Sequence, residues 1–106
     1  MAIVQVSIVP LGTKTTSISN YVVQALKVLQ NQKSVSYKLT PMGTVLEGNL
    51  DEVLSMVRQM HESVFGEGVQ RVVTIVNIDD RRDKTATMEG KISSVESKLR
   101  LRHQQD

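Results

Sequence analysis

The 106-residue sequence predicts an α+β sandwich of βαββαβ order with one extra C-terminal helix. Three observations predict it. Apolar and polar residues alternate near the start of the chain and again around residues 71–79, the period of a β-strand. Two stretches between them carry apolar residues at three- and four-residue spacing, the period of a helix packed on one side. Between those helices, two short alternating runs are split by Met42-Gly43, the punctuation of a hairpin.

The first run, Ala2 to Pro10, places Val4, Val6 and Ile8 on one face and Gln5 and Ser7 on the other. After Pro10-Leu11-Gly12, the stripe Ile18, Tyr21, Val22, Ala25, Leu26 and Leu29 predicts a helix with Thr16 or Ser17 as its N-cap. Val35 to Pro41 alternates again and Thr44 to Glu47 reads as its hairpin partner, with Gly43 as the turn residue. Asn49 to Val64 carries Leu50, Val53, Leu54, Val57 and Met60 on one stripe, with Asn49 as the cap and Gly66 and Gly68 beyond the end. Arg71 to Asp79 is rich in Val and Ile and closes the sheet. A third helix shows a narrow stripe of Met88, Ile92, Val95 and Leu99, and the bases Lys98, Arg100, Arg102 and His103 suit the negative end of its dipole. Two strand–helix–strand crossovers around a central hairpin define the ferredoxin-like fold, and 106 residues without repeat or linker predict a single domain over 1–106.

In that fold both helices cover one sheet face. Strand parity leaves Ile3, Gln5, Ser7, Thr40, Val45, Glu47, Val73, Ile75 and Asn77 on the other, while helical and strand periodicity turn Tyr21 and Tyr37, respectively, toward the core. Such a face is too apolar for a solvated surface and too polar for an ordinary core, so a second copy of the chain is expected to cover it. The chain has no cysteine, opens on a strand-like run without a basic leader, and holds no apolar stretch approaching about 18 residues, which argues for a cytoplasmic protein and against a membrane span. Thirteen Lys and Arg against eleven Asp and Glu leave +2, too small an excess to call for nucleic acid.

Several catalytic patterns fail on spacing. Gly12-Thr13-Lys14-Thr15 lacks the glycines that a phosphate loop needs to aim its backbone N–H groups. His61-Glu62 borders an apolar stripe, where a packed or capping histidine is the ordinary reading, and two histidines are too few for a zinc site. An RNA-recognition sheet would need exposed aromatics, yet Phe65, at a helix end, is the only phenylalanine. An acylphosphatase-like site would need arginine after the first strand, where Pro10 to Ser17 offers only Lys14. Asp79 to Lys84 holds three acids and three bases and reads as a solvated loop with weak ion pairs. No catalytic or metal residue is expected.

The segments Val9-Pro10-Leu11-Gly12, Tyr37 to Thr44, Glu47-Gly48, Asp51-Glu52-Val53, His61-Glu62, Arg71-Val72 and Ile78 to Lys84 closely resemble the small thiamine-binding protein family. The resemblance extends to Lys91 and Val95 in the last helix. It implies the same ferredoxin-like fold, a dimer or dimer of dimers, and non-catalytic binding of thiamine or hydroxymethylpyrimidine, with no other cofactor. Asn77 departs from the lysine expected at that position. An aminopyrimidine presents ring-nitrogen acceptors beside an amine donor, and Ser7, Thr40, Thr44, Glu47 and Asn77 supply matching groups. Met42 could offer a polarizable surface. Glu47 heads this set as a carboxylate for the amine edge or the thiazolium charge, or else caps a strand end or pairs with Lys38; Thr44, of opposite parity, joins only if the hairpin twists or bulges. The expected role is a homo-oligomeric carrier or sensor. The alternative is a regulatory or assembly module that binds another metabolite or a partner protein at its subunit interface.

Overall fold

The computed structural model describes residues 1–14, 19–66, 68–83 and 87–105, the last five of these as backbone only. Seven elements follow in the expected order: β1 (Ala2–Leu11), α1 (Ser19–Gln30), β2 (Ser36–Thr40), β3 (Gly43–Gly48), α2 (Leu50–Ser63), β4 (Arg71–Asp80) and α3 (Met88–Gln105). The sheet is antiparallel, with order β2-β3-β1-β4. This is the ferredoxin-like arrangement with an added C-terminal helix.

Helix α2 starts where the chemistry places it. Asn49 sits in extended conformation before α2, and its side-chain oxygen accepts from the Asp51 backbone N–H at 3.0 Å, satisfying one of the donors a helix start leaves unpaired. Asp51 and Glu52 add negative charge to that first turn. The proposed caps of α1, Thr16 and Ser17, and its first stripe residue Ile18 lie outside the described residues.

The core lies between the sheet and the two crossover helices. Val4, Val6 and Leu46 face Leu29 of α1 and Val53, Met60 and Val64 of α2 and its end, all fully or almost fully buried. Fully burying one such side chain stabilises the fold by about 1.5 to 3 kcal/mol. Register confirms the opposite face: Ile3 stands beside Glu47 and Asp79, Gln5 beside Val45 and Asn77, and Ser7 beside Ile75. That face stays open, and Ile75 keeps 55% of its surface.

Two local expectations change. The corner of the hairpin is Pro41-Met42, because Thr40 pairs with Gly43, and Gly43 therefore opens β3. Glycine is required there for two reasons: its φ is +153°, and a Cβ would stand 2.7 Å from the Val6 carbonyl oxygen. Tyr37 does lie opposite Leu46 on the helix side, but β2 is an edge strand, so Tyr37 remains 40% exposed outside the core. Tyr21 packs against the core as expected.

Candidate functional site

The site follows from a mismatch in strand length. β1 pairs with β4 from Ala2 to Leu11, but with β3 only from Ala2 to Val6, where the hairpin turns back. From Ser7 onward no β3 residue stands beside β1. Helix α1 bridges that gap without filling it, leaving a cleft of about 560 Å³. Val6 to Val9 of β1 form one side, Tyr21, Val22, Ala25 and Leu26 of α1 the second, and Leu39 to Thr44 of the hairpin the third, with Met60 of α2 at the core end. The volume falls within the range of ligand pockets, and the mix of aliphatic walls with a few polar groups is the usual lining of one.

Four of the six expected residues meet here. Ser7, Thr40, Met42 and Thr44 all line the cleft. The hairpin pairing is regular, so Thr44 keeps its parity; it joins Thr40 because the cleft wraps around the hairpin end and touches both faces. Thr44 is the one buried polar side chain among the described residues, at 5% exposure. Thr40 is committed to the turn: its hydroxyl donates to the Gly43 carbonyl at 2.7 Å and accepts from the Met42 N–H at 3.3 Å. That bracket holds Met42 outward at the rim, 80% exposed.

The other two residues lie elsewhere. The Glu47 carboxylate accepts from the Met88 backbone N–H at 2.9 Å, so it is an anion placed on the N-terminus of α3. Lys38 pairs with Glu89 of that same helix turn at 3.1 Å rather than with Glu47. The Asn77 side-chain amide approaches the Gln5 side-chain carbonyl at 3.5 Å on the open face.

Backbone chemistry adds what side-chain inspection missed. The Val6 carbonyl points at Gly43, toward β3. In an antiparallel strand the N–H and C=O of one residue point to the same side and alternate with those of the next. Ile8 therefore turns its N–H and C=O to the same side as Val6, where β3 has ended, and presents a donor and an acceptor along the cleft. The signal available in the sequence was the length of the first strand run against that of its hairpin neighbour. Tyr21, whose spacing marked it only as core, contributes an aromatic wall.

Away from the cleft, His61 Nδ1 lies 2.6 Å from the Thr74 hydroxyl and the ring meets Phe65 edge-on at 5.3 Å, a packed histidine. In the acid–base run Arg81 pairs with Asp83 at 2.6 Å and Arg82 with Asp80 at 3.1 Å, while Asp79 pairs with Lys91 of α3. The Asp83 hydrogen bonds, and more weakly the charge of Asp79, raise the Arg81 pKa above its ordinary value, so that guanidinium stays charged. Lys84 lies outside the described residues. Among the described residues no cluster of three metal-ligating side chains occurs, and no helix is long and apolar enough to cross a membrane.

Known proteins share the sequence and the fold. The YqgV protein of Bacillus subtilis is 44% identical over 102 residues, covering 93% of this chain and 98% of that one. The solved structure of a hypothetical protein from Methanocaldococcus jannaschii superposes with a TM-score of 0.81 at 40% identity, over 90% of this chain and 95% of that one. A candidate thiamine biosynthesis or salvage protein of Thermotoga maritima shares the fold, with a TM-score of 0.72 at 20% identity over 89% of this chain and 97% of that one. The sequence profile of the family described as thiamine-binding protein matches residues 4–96, so this chain belongs to the thiamine-binding protein family.

Proposed function

We propose that the chain binds thiamine or hydroxymethylpyrimidine through the aminopyrimidine ring, in the cleft between α1 and the β2–β3 hairpin, and acts as a carrier or sensor. Family membership supports the ligand class. The observation that carries the location is the open edge of β1, where Ile8 offers an N–H and a C=O in the cleft that Thr44, a residue only 5% exposed, also lines. The ring nitrogen of an aminopyrimidine accepts and its adjacent amine donates, so the Ile8 pair matches that edge as a neighbouring strand would. Thr44 and Ser7 supply hydroxyls, Tyr21 a wall for the ring, and Met42 a polarizable cover at the mouth.

Glu47 and Asn77 have other roles in this reading. Glu47 holds α3, and Asn77 belongs to the open face, with Val73 and Ile75, that a second copy covers. The cleft lining offers hydroxyls and two thioethers rather than a paired acid and base, which supports binding over turnover. A cytoplasmic site of action, one ligand-binding unit per chain and no nucleic-acid partner complete the proposal, with the cysteine-free sequence and its small charge excess in support.

Native mass spectrometry with thiamine, hydroxymethylpyrimidine and a panel of amino acids tests the reading. One pyrimidine ligand per chain, retained by a homo-oligomer, is the expected result. Retention of an amino acid and of neither pyrimidine would move the chain to the regulatory-module alternative.

A further inference from the structure

Helix α3 has a surface that its own domain does not use. The first turn is fastened to the sheet by the Glu47 carboxylate on the Met88 N–H, by Lys91 on Asp79 and by Glu89 on Lys38. Beyond that turn every described side chain of the helix, through Arg100, is exposed, and the chain measures 56 × 31 × 20 Å. Ile92, Val95 and Leu99 remain about half exposed.

The pattern on this helix says what kind of surface fits it. Met88, Ile92, Val95 and Leu99 follow one another at intervals of four, three and four. At 100° per residue they fall within a strip roughly 60° wide. A helix that lies on a sheet or a broad core shows an apolar stripe of about 100° or more; a strip this narrow is the seam of a helix pair. With Ile92 and Leu99 as the first core position of a heptad and Met88 and Val95 as the second, the flanking positions are unambiguous. One flank carries Glu89 and Glu96 and the other Lys91 and Lys98, while Gly90, Ser93, Ser94 and Ser97 occupy the far side.

That charge division selects both partner and direction. In a parallel pair of identical helices, each flank faces the opposite flank of its mate, and Lys91 of one copy, its ammonium shared with Asp79 of its own chain, meets Glu96 of the other, twice by symmetry. In an antiparallel pair like flanks meet, setting glutamate against glutamate and lysine against lysine. We infer that α3 pairs in parallel with α3 of a second copy of this chain, through the seam Met88, Ile92, Val95 and Leu99. The first turn of α3 sits at the Glu47 and Asp79 end of the open face, and the seam beyond it is distinct from the Val73 and Ile75 part of that face and from the ligand cleft. Two heptads alone are too short for a lasting coiled coil, but helices already carried by associating domains meet at high effective concentration. The fastened first turn sets the angle at which each helix leaves its domain.

A cysteine-free chain makes the test direct. Val95→Cys, Leu99→Cys and, on the far side, Ser94→Cys are each oxidised mildly in the otherwise intact protein, after melting curves confirm that these exposed substitutions leave the fold in place. In a parallel pair identical seam positions adjoin, so Val95→Cys and Leu99→Cys should both form the chain-to-chain disulfide at least about tenfold faster than Ser94→Cys. Rapid cross-linking at only one of the two seam positions would mean an antiparallel crossing and overturn the proposal. Rates no higher than that of Ser94→Cys would overturn it as well, because the seam would then face something other than its own copy.

Discussion

The Glu47 carboxylate receives the Met88 backbone N–H at 2.9 Å and so couples the last turn of the hairpin's inner strand to the root of α3. An acid on the sheet that was the leading ligand contact by composition is, in the fold, an N-terminal anchor for a helix. Its charge complements the helix dipole, an interaction of about 0.3 to 1 kcal/mol at a partly exposed position. Glu47→Gln should therefore leave the ligand-induced rise in melting temperature intact and increase amide hydrogen exchange in the first turn of α3. A lost thermal shift with unchanged exchange would return Glu47 to the ligand.

Thr44 carries the opposite expectation. Replacement by valine keeps its shape and removes the hydroxyl from the cleft, leaving a ligand donor or acceptor without its partner. That should weaken hydroxymethylpyrimidine and thiamine together, by about 1 to 3 kcal/mol, while the unliganded protein melts at or slightly above the wild-type temperature. Calorimetric titration of the two ligands against the variant checks this, and equal affinity in both proteins would remove Thr44 from the site.

Gly43→Ala tests the corner that shapes the cleft. The new Cβ would meet the Val6 carbonyl at 2.7 Å from a backbone conformation that L-residues rarely adopt. The strain should cost about 1 to 3 kcal/mol in denaturant unfolding. Leu46→Ala, by contrast, empties a fully buried position in β3 and should cost about 2 to 5 kcal/mol with no direct effect on the cleft chemistry.

Ile75→Lys addresses the open face. A lysine there would have to be desolvated in a subunit contact, so the variant should show a lower mass by light scattering than the wild type at equal concentration. An unchanged mass would show that this face is not the one a second copy covers.

The fold was legible because the periods were clean. Alternation in β1 and β4 and the stripes of α1 and α2 fixed the faces, and the observed register sets Gln5 beside Val45 and Asn77 as parity required. The site was only half legible. Ser7, Thr40 and Thr44 were identified by donor and acceptor type and Met42 by its polarizable surface, and they converge because the hairpin stops four residues short of Pro10 on β1. Parity also put Glu47 and Asn77 among the candidates, since it gives the side of the sheet but not the position along it. The Glu47 partner is 41 positions away on α3, at a distance in sequence that no local pattern reports. Ile8, which the proposed reading adds, escaped for a different reason: the contribution proposed for it is main-chain, and it depends on where a neighbouring strand ends.

The most direct measurement is a calorimetric titration of the wild-type protein with hydroxymethylpyrimidine and with the analogue whose ring amine is replaced by hydrogen. If Ile8 and Thr44 read the aminopyrimidine edge, the amine-bearing ligand binds at one site per chain and the analogue, which leaves an acceptor of the cleft unpaired, binds at least about tenfold more weakly. Equal binding of the two compounds, or binding of neither, would contradict the assignment of this cleft to the pyrimidine ring.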